Sequence, residues 1–181
     1  MTPRIKEILN TERLTLRPPS TSDFEAVHSY ASNPENLSYV SWGPNTEEQT
    51  KEYLASSLIG RDFVVVLNSM NAVIGGCGIY PDNTNDTAAL GWVLHKDYWN
   101  HGYGTELARE LIRYGFEDLG LRRIYAVSAA LNYGSCRVME NNGMRREALH
   151  RQAFWARLDK IWVDKALYAI LAEEFRSQQE A

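Results

Sequence analysis

The chain has 181 residues, 44% of them apolar and 23% charged, and its 19 basic and 23 acidic side chains leave a net charge of −4. That length carries one domain with a real core and falls short of two, while the acidic balance argues against a protein built to bind nucleic-acid backbone. Two cysteines, Cys77 and Cys136, cannot build a disulfide framework, four scattered histidines give no zinc spacing, and no apolar run nears membrane-spanning length. The expectation is a cytoplasmic protein with no metal, membrane or nucleic-acid partner.

Arg13-Leu14-Thr15-Leu16-Arg17 alternates polar and apolar residues, which predicts a half-buried strand stopped by Pro18-Pro19. Ser22-Asp23-Phe24-Glu25 fits a capping box for a short helix carrying Phe24, Val27 and Tyr30 and ending near Asn33-Pro34. Thr46-Glu47-Glu48-Gln49 fits a second box, opening a helix through Tyr53, Leu54 and Leu58 to Gly60. The aromatic-rich connection between them, Leu37 to Pro44, has two readings: a loop tucking Tyr39 and Trp42 onto the core, or one wall of a substrate pocket.

Phe63 to Leu67 is a continuous apolar strand, and a turn at Asn68 to Asn71 leads to a second strand, Val73 to Tyr80, making a hairpin. The glycines of that second strand suggest a bulge or a close backbone approach. A turn over Asp82 to Asp86 precedes a strand from Ala88 to Leu94. Then comes Trp99-Asn100-His101-Gly102-Tyr103-Gly104-Thr105-Glu106, followed by a helical stripe at Leu107, Ala108, Leu111, Ile112, Gly115 and Leu119. A glycine pair at a strand-to-helix junction lets amides converge at a helix N-terminus, a site that favours phosphate. The remaining elements are a strand at Arg123 to Ser128, a helix from Asn132 to Asn142 closed by Gly143, extended runs at 144–154 and 160–168, and a final helix through Ile170, Leu171 and Phe175. The fold class is α/β, with a largely antiparallel sheet, a helical crossover and a splayed central pair of strands. A dinucleotide fold is excluded, because Gly102-Tyr103-Gly104 lacks the third glycine and follows an antiparallel meander.

Taken together, these residues resemble the GNAT superfamily of N-acetyltransferases. The loop from Trp99 to Glu106 is similar to the family's acetyl-CoA pyrophosphate loop, Q/R-x-x-G-x-G/A, with Trp99 at the usual Q/R position. Thr11 to Arg17 looks like the opening strand of the RimJ/RimL-like, ribosomal-protein-alanine branch. Asn132-Tyr133-Gly134-Ser135-Cys136-Arg137-Val138-Met139-Glu140-Asn141-Asn142-Gly143-Met144 is similar to that branch's N-x-x-S-x-R-v-x-E-x-x-G-f element, and Asp164 with Leu167 to Leu171 matches its last strand. The resemblance implies a six- to seven-stranded GNAT-type sheet flanked by helices. It places an N-terminal extension at 1–10 and a single N-acetyltransferase domain at 11–178.

The resemblance also implies a job for each residue. The backbone of Asn100, His101, Gly102, Tyr103, Gly104 and Thr105 would cradle the pyrophosphate of acetyl-CoA, and Trp92, Val93 and Leu94 would pair with its pantetheine arm. Asn132 would bond the same arm or cap the next helix, Ser135 would protonate the departing thiolate, and Arg137 would reach a phosphate. Met139 stands where many relatives carry a proton-donating tyrosine. Val93 N–H would polarise the oxyanion during direct transfer to a primary amine, a protein N-terminus or a small molecule, in a ternary complex. For the base, relatives use a glutamate where Ala89 stands or an acid near Gln152-Ala153-Phe154; Asp164, Glu147, His95 and a water chain are the candidates here. Tyr39 and Trp42 would line the acceptor pocket, and the branch implies a homodimer. A catalytically silent acyl-CoA-binding module and a regulatory domain that uses the glycine loop for ATP are the competing readings.

Overall fold

In the computed structural model, described here for residues 7–57, 60–82 and 84–180, one eight-stranded sheet has the order β1-β2-β3-β4-β5-β6-β8-β7. Its strands are β1 (Leu9–Asn10), β2 (Leu14–Arg17), β3 (Asp62–Leu67), β4 (Ala72–Asp82), β5 (Thr87–Leu94), β6 (Arg123–Ala129), β7 (Arg145–Ala156) and β8 (Ile161–Leu171). Leu9 and Asn10, assigned from the sequence to the N-terminal extension, pair with Leu16 and Thr15, and Leu9 is buried. Residues 1–6 of the expected extension lie outside the described residues, as do Leu58 and Asn83.

Every neighbouring pair is antiparallel except β5–β6, which is parallel over four rungs from Thr87↔Arg123 to Leu90↔Ala126. The expected splay of central strands is therefore present, and it begins after Leu90.

Five α-helices complete the fold: α1 (Phe24–Ala31), α2 (Glu47–Ser56), α3 (Tyr103–Arg113), α4 (Tyr133–Asn141) and α5 (Ala172–Gln179). The period of two along each strand divides the sheet into two faces. Val64 and Val66 meet Val27, Tyr30 and Leu54 of α1 and α2. Leu14, Leu16, Phe63, Val65, Ile79, Leu90 and Ile124 meet Leu107, Leu111 and Ile112 of α3, Met139 of α4 and Phe175 of α5. Each fully buried leucine or phenylalanine in that second layer contributes on the order of 1.5–3 kcal/mol.

Several element ends differ from the sequence reading. The first capping residue is Ser20, not Ser22: its N–H donates to Asp23 Oδ2 at 2.8 Å, and a 3₁₀ turn at Thr21–Asp23 precedes α1. Arg17 clamps the same carboxylate at 2.7 Å. The second box forms as read, Thr46 N–H donating to Gln49 and Gln49 N–H to Thr46. After Arg113 the helix widens into a π turn, Tyr114–Asp118, which brings Tyr114 and Gly115 into the core. Ile170 and Leu171 belong to β8, not to the last helix, because they pair with Ile124 and Arg123. The helix starts at Ala172, where Glu174 accepts from Leu171 N–H.

Candidate active site

The loop between β5 and α3 is tied down at both ends. Trp99 Nε1 donates to the Leu94 carbonyl at 2.8 Å, holding the loop against the end of β5. On the other side, Arg13 Nη1 donates to the His101 carbonyl at 3.0 Å, and its Nε and Nη2 bond the Glu106 carboxylate at 2.7 Å. Thr11 Oγ1 and Arg13 N–H also donate to Glu106. Burial alone would push the Glu106 carboxyl up, but these hydrogen bonds and the guanidinium outweigh it and hold it below its ordinary value. Glu106 is thus the strut that fixes the first turn of α3 to the β1–β2 turn, a role the sequence did not suggest. The His101 ring turns back to the Trp99 carbonyl at 2.6 Å and stacks on Tyr103.

Two residues of this loop are left-handed, Asn100 at φ 62° and Gly102 at φ 81°. They turn the chain so that Gly102 caps α3, its carbonyl accepting from Glu106 N–H at 3.0 Å. The amides of Tyr103, Gly104 and Thr105 belong to the first turn and have no intrahelical acceptor. The two glycines differ in function. Gly102 is required by its φ, whereas a Cβ on Gly104 would stand 3.1 Å from Val138 Cγ2, so Gly104 lets α3 pack on α4.

The splay fixes which β5 groups are free. His95 N–H donates to the Ile74 carbonyl, and the register continues unbroken through Val93↔Gly76 and Gly91↔Gly78. By antiparallel alternation, Val93 and Gly91 therefore aim their N–H and C=O at β4, while Trp92 and Leu94 aim theirs at the β6 side. The bond from Trp99 to the Leu94 carbonyl agrees with this. The expectation for Val93 is corrected accordingly: its amide is committed to the β4 ladder and its side chain packs toward α1 and α2. Trp92 N–H, the next β5 amide on that side beyond the last β6 rung, is the group that faces the gap.

β6 runs directly into α4 beside the gap. Asn132 is the N-cap of α4, its Oδ1 accepting from Ser135 N–H at 3.1 Å. Ser135 is half-buried in the first turn, and Arg137 is exposed on the outer face. Met139 is fully buried in the core. Cys136 lies against Tyr168 and Glu140, and burial pushes its thiol up, away from the thiolate form.

The opposite face of the sheet, that of α1 and α2, is bordered by the Leu37–Pro44 loop. Tyr39 packs against the cluster of Ala129, Ala156 and Val163, as does Phe154, while Trp42 is 38% exposed. Tyr39 thus meets the core-tucking reading. Two base candidates are placed elsewhere. Glu147 pairs with Arg123 at the other end of β6 from α4, and His95 Nδ1 accepts from Asp97 N–H at 3.3 Å. Asp164 Oδ1 accepts from Gln152 N–H at 2.9 Å, where Gln152 is left-handed at φ 47° in a β7 irregularity.

A carboxylate the sequence reading passed over lies on this face instead. Asp62 is 9% exposed and shares its row on β3 with Val64 and Val66; it accepts from Tyr80 Oη of β4 at 3.0 Å. The available signal was parity: an acid at the head of Phe63-Val64-Val65-Val66-Leu67 falls on the same face as two buried valines. Among the described residues, no group of three or more histidine, cysteine or acidic side chains is arranged to hold a metal, and no helix is long and apolar enough to cross a membrane.

Comparison with known proteins supplies the context. The profile of the family described as "Acetyltransferase (GNAT) domain" matches residues 13–145. An uncharacterized N-acetyltransferase of Bacillus subtilis, YnaD, is 33% identical over 169 residues, covering 92% of this chain and 98% of its own. The crystal structure of a GNAT-family acetyltransferase from Bacillus anthracis superposes with a TM-score of 0.84 at 35% identity, covering 92% of this chain and 99% of that one. A RimL alpha-N-protein acetyltransferase solved with coenzyme A shares the fold at 19% identity and a TM-score of 0.81, over 91% and 98% of the two chains.

Proposed function

The chain belongs to the GNAT acetyltransferase family, and from that premise we propose that it transfers acetyl from acetyl-CoA directly to a primary amine, within a ternary complex and a single domain spanning about residues 11–178. The observation that carries this is the opening between β5 and β6, which begins after Leu90 and Ala126 beside the unpartnered first-turn amides of α3. A strand edge and a helix N-terminus meet there, and the two together suit a ligand with an amide-containing arm and a pyrophosphate.

Acetyl-CoA supplies the activated acetyl thioester. Tyr103, Gly104 and Thr105 N–H, with the left-handed turn at Asn100 to Gly102, would hold the pyrophosphate. Leu94 N–H, the Trp92 carbonyl and the Asn132 side-chain amide would hold the pantetheine arm. Arg137 would serve an outer phosphate. Trp92 N–H replaces Val93 N–H as donor to the thioester oxygen, a contribution worth on the order of 3–4 kcal/mol in comparable oxyanion sites. Ser135 would return a proton to the departing thiolate, which needs only a hydroxyl within reach. Tyr39 and Trp42 would border the acceptor entrance.

The acceptor is an amine, with a protein N-terminal α-amine favoured by the likeness of the 132–144 element to the RimJ/RimL-like branch and by the shared fold of the RimL enzyme. The test measures CoA release from acetyl-CoA against a panel of peptides and small amines, together with thermal shifts by acetyl-CoA and by ATP. Turnover that disappears in Ser135→Ala, and a shift near 2.7 kcal/mol of added stability at roughly 100 times the Kd of acetyl-CoA, are expected. Stabilisation by ATP alone would overturn the reading.

A further inference from the structure

We propose that the Ser128 hydroxyl donates a hydrogen bond to the sulfur of the acyl donor and steadies the thiolate as it departs; this rests on the acetyl-transfer reading above. Register places the residue. β5 and β6 pair in parallel from Thr87↔Arg123 to Leu90↔Ala126, and the same offset sets Ser128 across the opening from Trp92, two residues past the last rung. On its other side Ser128 pairs with Ala166 of β8. Ile124 and Ala126, which share its parity, and Ala166, which shares its rung, lie in the core layer of α3 and α4. The Ser128 side chain therefore projects from that face of the sheet.

The donor reaches the opening from the same face, because α3 and α4 both pack there. Trp92, on the other side of the opening, also packs against this layer. Its N–H is the group that would take the thioester oxygen. The thioester carbon carries both that oxygen and the sulfur, so the sulfur sits between Trp92 and Ser128. An extended arm lying between two strands is about 4.8 Å from each, a distance that a serine side chain closes to hydrogen-bonding range.

The surroundings of Ser128 point to a missing partner. Ala126 and Ala130 flank it along its row of β6, and Ala166 faces it on β8. The residue is 6% exposed, and among the described residues its hydroxyl has no hydrogen-bond partner. A buried hydroxyl left unpaired is unfavourable, and an alanine here would continue the row without that cost. The oxygen is not sealed off. With β8 paired along one side of β6, the opening is its free side.

No further reactant is needed. The amine lone pair forms the C–N bond, and the C–S bond breaks with its electron pair on sulfur. Nitrogen loses one proton, the thiolate takes one from Ser135, and the proton from nitrogen restores Ser135. Ser128 keeps its own proton. A thioether-like sulfur is a weak acceptor and a thiolate a strong one, so the bond from Ser128 strengthens as the charge develops. It therefore acts on kcat more than on donor binding.

Two measurements test this, each on protein first shown to bind acetyl-CoA. In CoA release with the best amine of the panel, Ser128→Ala should lower kcat about 10- to 100-fold. Acetyl-CoA Kd should stay within about twofold, and the Tm of the free protein should not fall, as it would if the hydroxyl served only the fold. The second measurement locates the sulfur without turnover. Ser128→Cys in a Cys136→Ser background is mixed with CoA disulfide; the introduced thiolate attacks one sulfur, a new S–S bond replaces the old one, and CoA thiolate leaves. Intact mass should show one CoA added, and excess acetyl-CoA should prevent it. The Cys136→Ser protein alone should stay unlabelled, since Cys77 is buried and its thiol is pushed up. Should the double variant fail to fold, Ser128→Ala decides alone. An unchanged kcat in Ser128→Ala overturns the assignment, as does a folded double variant that binds acetyl-CoA but is not labelled, or is labelled regardless of acetyl-CoA. A wild type that neither binds acetyl-CoA nor releases CoA with any amine sinks the acetyl-transfer reading, and the role of Ser128 with it.

Discussion

Replacing Gly102 by alanine separates the shape of the phosphate loop from everything else in the site. Gly102 sits at φ 81°, and an alanine there pays the left-handed penalty of roughly 1–2 kcal/mol. Its Cβ would meet only Arg13 Nη2 at 3.4 Å, an ordinary contact, so crowding adds little. For a chain of this size each kcal/mol moves Tm by about 2–4 °C, which places the expected loss near 2–8 °C. If the loop instead relaxes to negative φ, the strain is relieved but the amides of residues 103 to 105 turn away from a common point. In that case acetyl-CoA binding should weaken about tenfold or more, equivalent to about 1.4 kcal/mol. Gly102→Asn, a residue that tolerates the left-handed region, should recover part of the stability. Thermal melts with and without acetyl-CoA, plus calorimetric Kd values, measure both quantities. An alanine variant with unchanged Tm and a Kd within twofold would refute the reasoning.

Gly104→Ala should behave differently. It gains about 1 kcal/mol of helix propensity but meets Val138 Cγ2 at 3.1 Å, so a stability change within about 1 kcal/mol in thermal melts is expected, and a loss several times larger would refute the packing role. Gly75→Ala should be severe, since its Cβ would overlap the Val93 carbonyl and stand 2.9 Å from Leu94 Cα; about 3 kcal/mol by urea denaturation is expected, the upper end for overpacking. Glu106→Gln should lose on the order of 1–2 kcal/mol at neutral pH. Because the folded carboxyl of Glu106 titrates below its ordinary value of 4.5, its stabilisation is present above that pH and is lost as pH falls through the folded value. The stability gap between wild type and Glu106→Gln should therefore narrow below about pH 4.5, and a gap independent of pH would contradict the assignment.

Much of this site could be read from residue types whose geometry is local. Gly102 and Gly104 before an amphipathic run, and Asn132 three residues before Ser135, announce a helix start wherever they occur. The direction of a backbone amide cannot be read that way. Whether Val93 or Trp92 faces the gap depends on the β4–β5 register, and that register is set by contacts between strands, not within one. The same limit hid the strut at Glu106, whose partners Thr11 and Arg13 lie more than ninety residues away in sequence. It also let Ile170 and Leu171 pass for helix, since their apolar spacing suits either element until β6 claims them. Asp62 was legible by parity alone, but its partner was not, because nothing in Tyr80 announces that its ring folds back over two glycines.

The four-rung seam between β5 and β6 has a consequence for assembly. The β3–β4–β5 meander and the β7–β8 hairpin are closed by short connections, whereas the seam joins segments more than thirty residues apart in the chain. Loop-closure entropy places such a joint late in folding. The gap exists only once the seam has formed, so the donor site should be among the last features to mature, and hydrogen exchange at Ala88 and Leu90, whose amides face β6, should report its arrival during refolding after protection of β4.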